Sequence, residues 1–256
     1  MRLLITGLSG SLAPRLAERA RAGGWEVVGW NHHLIPPTDS QAMARWLPEQ
    51  RVAAIAHLAL GPESWAAQLA GYAAAHGLPF LFTSTAMVFH HEPDGPHRPH
   101  DPLTARDDYG RYKIRCEAAV RAANSAACIV RLGWQIDPEV RGNNMLAALD
   151  RQQEQDGCIR ASTRWRPACA FMADTTAAMM TLLESPVAAP LHLDSNAGEG
   201  HCFADIARAL RRTYGREHWV IEETTDYVHD QRLLDAEERL PGLAARLPEL
   251  RSAAAS

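Results

Sequence analysis

The chain has 256 residues, 46% of them hydrophobic and 22% charged, with a formal net charge of -4. That is enough chain to bury a full core, as one large domain or two interlocked lobes. Arginines interspersed with acids give no electrostatic footprint for nucleic acid. No apolar run approaches the roughly 18 residues of a membrane-spanning helix, and five scattered cysteines without a CxxC pair suit a reducing cytoplasm.

In chain order, "RLLITG" is a continuous apolar run, the pattern of a strand buried on both faces. It starts at once, leaving no room for a signal peptide. "GLSGSLA" turns the chain, and "PRLAERARAGG" is a helix with Pro14 in its first turn and Gly23 and Gly24 at its end. "WEVVGW" is a second strand. The loop "IPPTDS" leads to a helix over 41–47, "VAAIAHLAL" is a third strand, "SWAAQLAGYAAAHG" a helix and "LPFLFTSTAMVF" a fourth strand. A proline-rich loop precedes a long helix over 106–123, and "ACIVRLGW" is a fifth strand. Strands alternating with helices in this way specify an α/β fold, a Rossmann-type doubly wound parallel sheet. After Trp134 the rhythm breaks into helices over 143–155, 174–185 and 203–213, an irregular "STRWRPACAF" and a short strand "PLHLD". The expected organisation is a dinucleotide-binding core over 1–134 and a smaller substrate lobe over 135–256, with about 174–195 returning to the core.

Two patterns carry chemistry. Gly7 and Gly10, with Ala13 at the third small site, stand between a strand and a helix. There a glycine permits the tight turn and lets a pyrophosphate approach the helix N-terminus. The expected cradle is Gly7, Ser9, Gly10, Ser11 and Leu12. The second strand ends in Asn31-His32-His33, without the carboxylate that would receive an NAD ribose. That tilts the cofactor toward NADP(H) over NAD(H), with Asn31 and His32 at the 2'-phosphate. The second pattern is "YGRYK". Of 26 basic residues one is a lysine, Lys113, and it stands four residues after Tyr109 on one helix face. A phenol near pKa 10 is a poor acid or base at neutrality, and a neighbouring ammonium favours the phenolate. Arginine is too long and too rigidly planar for that task. Thr85, at the end of the fourth strand, is placed to hydrogen-bond a substrate carbonyl near Tyr109.

"TGLSGSLA", "AHLA", "TSTAMVF" and "YGRYK", in this order and spacing, resemble the extended short-chain dehydrogenase/reductase superfamily. The likeness is nearest to dTDP-4-dehydrorhamnose reductases and related sugar-nucleotide reductases. "STAMVF", "VRLGW", "GNNMLAALD" and the Pro167 region look like their counterparts there. The resemblance implies a catalytic set of Thr85, Tyr109 and Lys113, in which Tyr109 gives a proton to a ketone oxygen while NADPH gives hydride to its carbon. It implies cofactor contacts at Leu58, Ala59, Tyr109 and Lys113 and substrate contacts at Thr85 and Met87, and it permits a homodimer paired through the long helix. The chain departs from the pattern at Ala86-Met87, where the reductases usually have Asp-Tyr. That argues against dehydration and keeps epimerisation open. The stretch between His57 and Phe80 is also shorter than usual. A non-catalytic, cofactor-binding regulatory subunit is the alternative.

Other residues read two ways. Asp39 caps a helix or approaches the adenine. Asn143 and Asn144 form an N-cap pair or border the sugar pocket. Arg164 and Trp165 clamp a substrate diphosphate and base or serve as surface charge and packing. Histidines 90, 91, 97 and 100 lie on no helix or strand that would set tetrahedral geometry, so no metal is expected. The expected partner is a small molecule, a sugar nucleotide by resemblance, with no nucleic acid and no membrane.

Overall fold

Strand β1 (Arg2–Thr6) is buried from Leu3 onward, and its neighbours follow from its apolar faces. The computed structural model describes residues 1–92, 94–139 and 142–250. Two compact units are present: Met1–Val88 with Ala105–Arg131 and Thr175–Leu191, and Phe89–Thr104 with Leu132–Asp174 and His192–Ser256.

The first unit is built on a six-stranded sheet. After β1 come α1 (Leu12–Ala22), β2 (Glu26–Gly29), α2 (Ser40–Gln50), β3 (Ala54–His57), α3 (Glu63–Ala75), β4 (Phe80–Thr85), α4 (Asp108–Ala123) and β5 (Cys128–Leu132). The sheet order is β10-β5-β4-β3-β1-β2, with β10 at Pro190–Leu193. The pairs β1–β2, β1–β3 and β3–β4 are parallel. From β1 the chain goes to β2 on one side and then to β3 on the other. The reversal opens a crevice at the carboxyl ends of β1 and β3, where open α/β sheets bind ligands. The core beneath holds Leu4, Ile55, Leu69, Phe80, Phe82 and Val120.

Two boundaries differ from the sequence expectation, each for a local reason. Helix α2 runs through Pro48 to Gln50, because a proline in the last turn forfeits one hydrogen bond without breaking the earlier ones. The fourth strand ends at Thr85. There the Thr85 hydroxyl accepts the N–H of Met87 at 3.2 Å, and Ala86–Val88 curl into a 3-10 turn.

The second unit carries β6 (Trp134–Ile136), α5 (Met145–Asp156), β7 (Ile159–Ser162), β8 (Trp165–Arg166), β9 (Cys169–Phe171), α7 (Phe203–Thr213), β11 (Ile221–Thr224) and β12 (His229–Asp230). Helix α6 (Met172–Glu184) begins here and continues into the first unit. The stretch expected to be irregular, 162–171, thus contains β8 and β9. Their pairing partners, β12 and β6, lie far off in the chain, so no local pattern announces them. The unit's core is Leu146, Ile159, Phe171, Ile206, Leu210 and Trp219. Asp194 ties three segments by accepting from the N–H groups of Cys169, Asn196 and Leu233 at 3.0, 2.8 and 2.9 Å.

Candidate active site

At the end of β1 the chain takes a tight turn. Gly7 has φ +82, a left-handed conformation that favours glycine. A Cβ there would stand 3.0 Å from the amide nitrogen of Ala59, so the turn lies directly against the end of β3. Gly10 closes the turn with its N–H on the Gly7 carbonyl oxygen at 2.8 Å. Helix α1 then begins at Leu12 with no side-chain cap from Ser11 and no acid in its first turn. A helix start of this kind presents backbone N–H donors and a partial positive charge. Ser9 and Gly10 are exposed. The fit to a dinucleotide pyrophosphate is therefore good: backbone donors that the Ser11 side chain does not cap, no acid in the first turn, and small exposed residues at Ser9 and Gly10.

The adjoining strand ends are tied by one hydroxyl. Thr6 Oγ1 accepts the N–H of Leu58 at 3.0 Å and of Ala59 at 3.1 Å, and it lies 2.8 Å from His57 Nδ1. Leu58 and Ala59 thus border the turn with their amides already committed to Thr6. At the end of β2, Asn31 turns its amide oxygen onto the N–H of His33 at 3.0 Å, capping its own loop. His32 and His33 are exposed, with ring centroids 4.1 Å apart. Asp39 accepts from Ala42 N–H at 2.9 Å, which is the helix cap of α2.

Helix α4 places Tyr109 and Lys113. Asp107 caps it by accepting from Gly110 N–H at 2.8 Å. Gly110 brings the first turn against the Met87 carbonyl oxygen, with no room there for a Cβ. Tyr109 is 39% exposed, a large surface for an aromatic residue. Lys113 is buried and donates from Nζ to the Thr83 carbonyl oxygen at 2.9 Å, 4.8 Å from the centre of the Phe82 ring. Burial lowers its pKa to about 8, against the opposing pull of Cys116 and Glu117. Tyr112, the other tyrosine of the motif, pins the β3–α3 loop. Its hydroxyl donates to the Gly61 carbonyl oxygen at 2.8 Å and accepts from Gly61 N–H at 3.1 Å.

One electrostatic expectation is corrected. The Tyr109 phenol has its pKa raised, first by burial and then by Asp107 and Cys116, rather than lowered by Lys113. The physical reason is first that burial penalises the charged phenolate, and then that the helix-capping carboxylate of Asp107 stands two residues away, while Lys113 Nζ is held on the Thr83 carbonyl. Three features of this region have no local sequence signal. Ser84 Oγ, next to Thr85, is buried without a hydrogen-bond partner. His57 is buried, with its pKa lowered to about 3 by burial and by Lys113. Glu117 and Arg131 form a buried bidentate pair at 3.0 and 2.8 Å, joining α4 to β5.

The remaining candidates divide between the units. In the first, Thr85 is buried and Met87 is exposed. In the second, Asn144 caps α5 by accepting from Ala147 N–H at 3.1 Å, and Asn143 is exposed. Arg164 is exposed, whereas Trp165 is half-buried in an aromatic group with Phe203 at 4.7 Å and Tyr227 at 5.3 Å. The Trp165 indole N–H is buried without a partner. Among the described residues, His90, His91 and Glu92 bring one possible metal-ligand atom each to within 4.8 Å of the others. No helix among the described residues is long and apolar enough to cross a membrane.

The family model described as "RmlD substrate binding domain" matches residues 63–225, well over half of the chain. The chain belongs to that family. Among RmlD relatives, the dTDP-4-dehydrorhamnose reductase of Mycolicibacterium smegmatis is 27% identical over 235 residues, covering 84% of this chain and 70% of that protein. A dTDP-4-dehydrorhamnose reductase from Clostridium acetobutylicum superposes with a TM-score of 0.80 at 17% identity, covering 100% of both chains. The enzyme of that name from Bacillus anthracis, in complex with NADP, gives 0.78 at 16% identity, covering 98% of this chain and 99% of the other. At these identities the structural likeness speaks for the fold, and it agrees with the expected Rossmann-type parallel sheet. Membership of the RmlD family bears out the expected extended short-chain class of NAD(P)-dependent reductases.

Proposed function

We propose that this chain is an NADPH-dependent reductase acting on a ketone carbonyl of a sugar nucleotide. The observation that carries this reading is the convergence, within one unit, of an uncapped glycine turn at β1 with Thr85, Tyr109 and Lys113 around the end of β4. Gly7, Ser9, Gly10, Ser11 and Leu12 cradle the pyrophosphate. His32 and His33 offer imidazoles to a 2'-phosphate where a carboxylate would repel it. On this fold neighbours hold NAD as well as NADP, so the preference rests on that missing acid. Bound there, the nicotinamide supplies the hydride. Tyr109 donates its phenolic proton to the carbonyl oxygen, and the high pKa imposed by burial and Asp107 keeps that proton in place until charge develops on the oxygen. The Thr85 hydroxyl steadies the carbonyl. Lys113, held by the Thr83 carbonyl, brings its charge beneath the site. Within the second unit, taken by itself, Trp165 offers an aromatic face and Arg164 a guanidinium of the kind that suits a nucleotide, and Asn143 is a further exposed polar group.

Fluorescence titration with NADPH and NADH, followed by NADPH oxidation with a dTDP-4-keto-6-deoxy sugar, tests this reading. Micromolar NADPH binding, weaker NADH binding and turnover reduced about a hundredfold or more by Tyr109→Phe support it. Tight binding with no turnover, together with a co-purifying protein, favours the regulatory alternative.

A further inference from the structure

We infer that His57 is a positioning residue for the cofactor turn: as a neutral imidazole protonated on Nε2, it uses Nδ1 to orient the hydroxyl of Thr6, and Thr6 then holds the glycine turn against β3. The inference rests on the cofactor reading above. A threonine hydroxyl has one proton to give and two lone pairs to receive with. Both lone pairs of Thr6 are used by the amides of Leu58 and Ala59. Its proton therefore goes to the third neighbour, His57 Nδ1, at 2.8 Å. That assignment requires Nδ1 to be an acceptor, which places the ring proton on Nε2.

The surroundings hold this state. The ring is 98% buried, packed edge-on to Trp65 at 4.6 Å and stacked on Phe82 at 5.7 Å. Phe82 also lies under the Lys113 ammonium. An imidazolium here would stand beside a second cation and point a donor at a hydroxyl that has no lone pair left. Burial and Lys113 both act against it.

The consequence for binding follows from the absence of slack. With Gly7 in direct contact with Ala59, any shift of the 58–59 amides moves the turn itself. Without the imidazole acceptor, the buried Thr6 proton has no partner, and the hydroxyl regains one only by rotating away from those amides. The turn then relaxes in the free protein, and ligand binding must restore it, which weakens affinity by the fraction left competent.

Two substitutions separate the acceptor from the bulk of the ring. His57→Phe keeps the ring's packing and removes the acceptor. His57→Asn loses packing and keeps an amide oxygen near the Nδ1 position. NADPH Kd from fluorescence titration is expected to rise tenfold or more in His57→Phe and to stay within threefold of wild type in His57→Asn, although the asparagine variant has the lower melting temperature. Thr6→Val should match His57→Phe, and the double variant should be no worse than either single one. Equal affinity of His57→Phe and wild type, or an asparagine variant weaker than the phenylalanine one, overturns the inference. Failure of wild type itself to bind NADPH overturns the cofactor reading instead.

Discussion

Replacing Gly110 by alanine sets two effects of known sign against each other. In a helix interior the change gains about 1 kcal/mol of propensity. Here the new methyl would stand 2.6 Å from the Ala105 Cβ and 3.0 Å from Asp107 Oδ2, and closer still to the Met87 carbonyl oxygen. Carbon pairs are comfortable at roughly 3.5–4.0 Å, so the first turn of α4 must move by about 1 Å. Overpacking of this kind costs about 1–3 kcal/mol. The net loss of stability is therefore small, about 0–2 kcal/mol, because the two effects largely offset. The loss of activity is not small. Tyr109 precedes the glycine and Met87 follows the Thr85 turn, so the displacement falls between the proposed proton donor and the residue proposed to steady the carbonyl. A misplacement of about 1 Å costs roughly a hundredfold in rate. Paired measurements of urea unfolding and of kcat for NADPH oxidation should show a folded, nearly wild-type protein with turnover down about a hundredfold. A variant with wild-type kcat would refute the claim that this contact sets the site's geometry.

The buried pair and the buried histidine give further tests. Glu117→Gln takes the carboxylate charge out of the buried Glu117–Arg131 pair, and should cost about 3–5 kcal/mol by denaturant unfolding; the double change Glu117→Leu with Arg131→Met should recover most of it. For His57 the folded-state pKa is about 3 against an ordinary 6.5, so its contribution is fully present above pH 6.5 and is lost as the pH falls toward 3. By about pH 4 that loss is roughly 3 kcal/mol. Asp194 acts in the opposite sense. Burial raises its pKa to about 7, so its contribution is fully present below 3.8 and is lost as the pH rises through 7. His57→Phe should therefore lose less stability than wild type on acidification from pH 6.5 to 4, because it lacks the loss that His57 contributes. Identical pH slopes in the two proteins would sink this account. Tyr109→Phe should reduce turnover by a factor of about 10²–10⁴ while leaving NADPH affinity within threefold.

Much of the first unit was legible because its signals are local. A glycine turn between an apolar run and an alanine-rich helix marks a strand-to-helix turn, and the alternation of strands and helices up to Leu132 marks a parallel α/β sheet. The Tyr109/Lys113 spacing places both on one face whatever surrounds them. Asp39 and Asn144 cap helices in the structure through contacts three residues away, which is as far as a sequence pattern reaches reliably. The second unit was less legible. Strands β8 and β9 are two and three residues long and exist only through pairing with β12 and β6. The expected irregular stretch was therefore a fair reading of its own residues and a wrong one of the fold.

By itself, the sequence determined the parallel α/β architecture and the places in it of the glycine turn and of Tyr109 and Lys113, the proposed cofactor turn and proton-transfer pair. Each depends on neighbours within a turn or two, where backbone geometry dictates what meets what. The tertiary structure alone decided the protonation states. Whether the Tyr109 phenol is pushed up or down depends on its burial and on which charges stand nearest it, and burial, Asp107 and Cys116 push it up while the Lys113 ammonium goes to a carbonyl 30 residues away. Whether His57 is a charge, a ligand or a fixed acceptor depends on Thr6, 51 residues distant. Electrostatic work is set by distance in space and by exclusion of water, and neither is written in spacing along the chain.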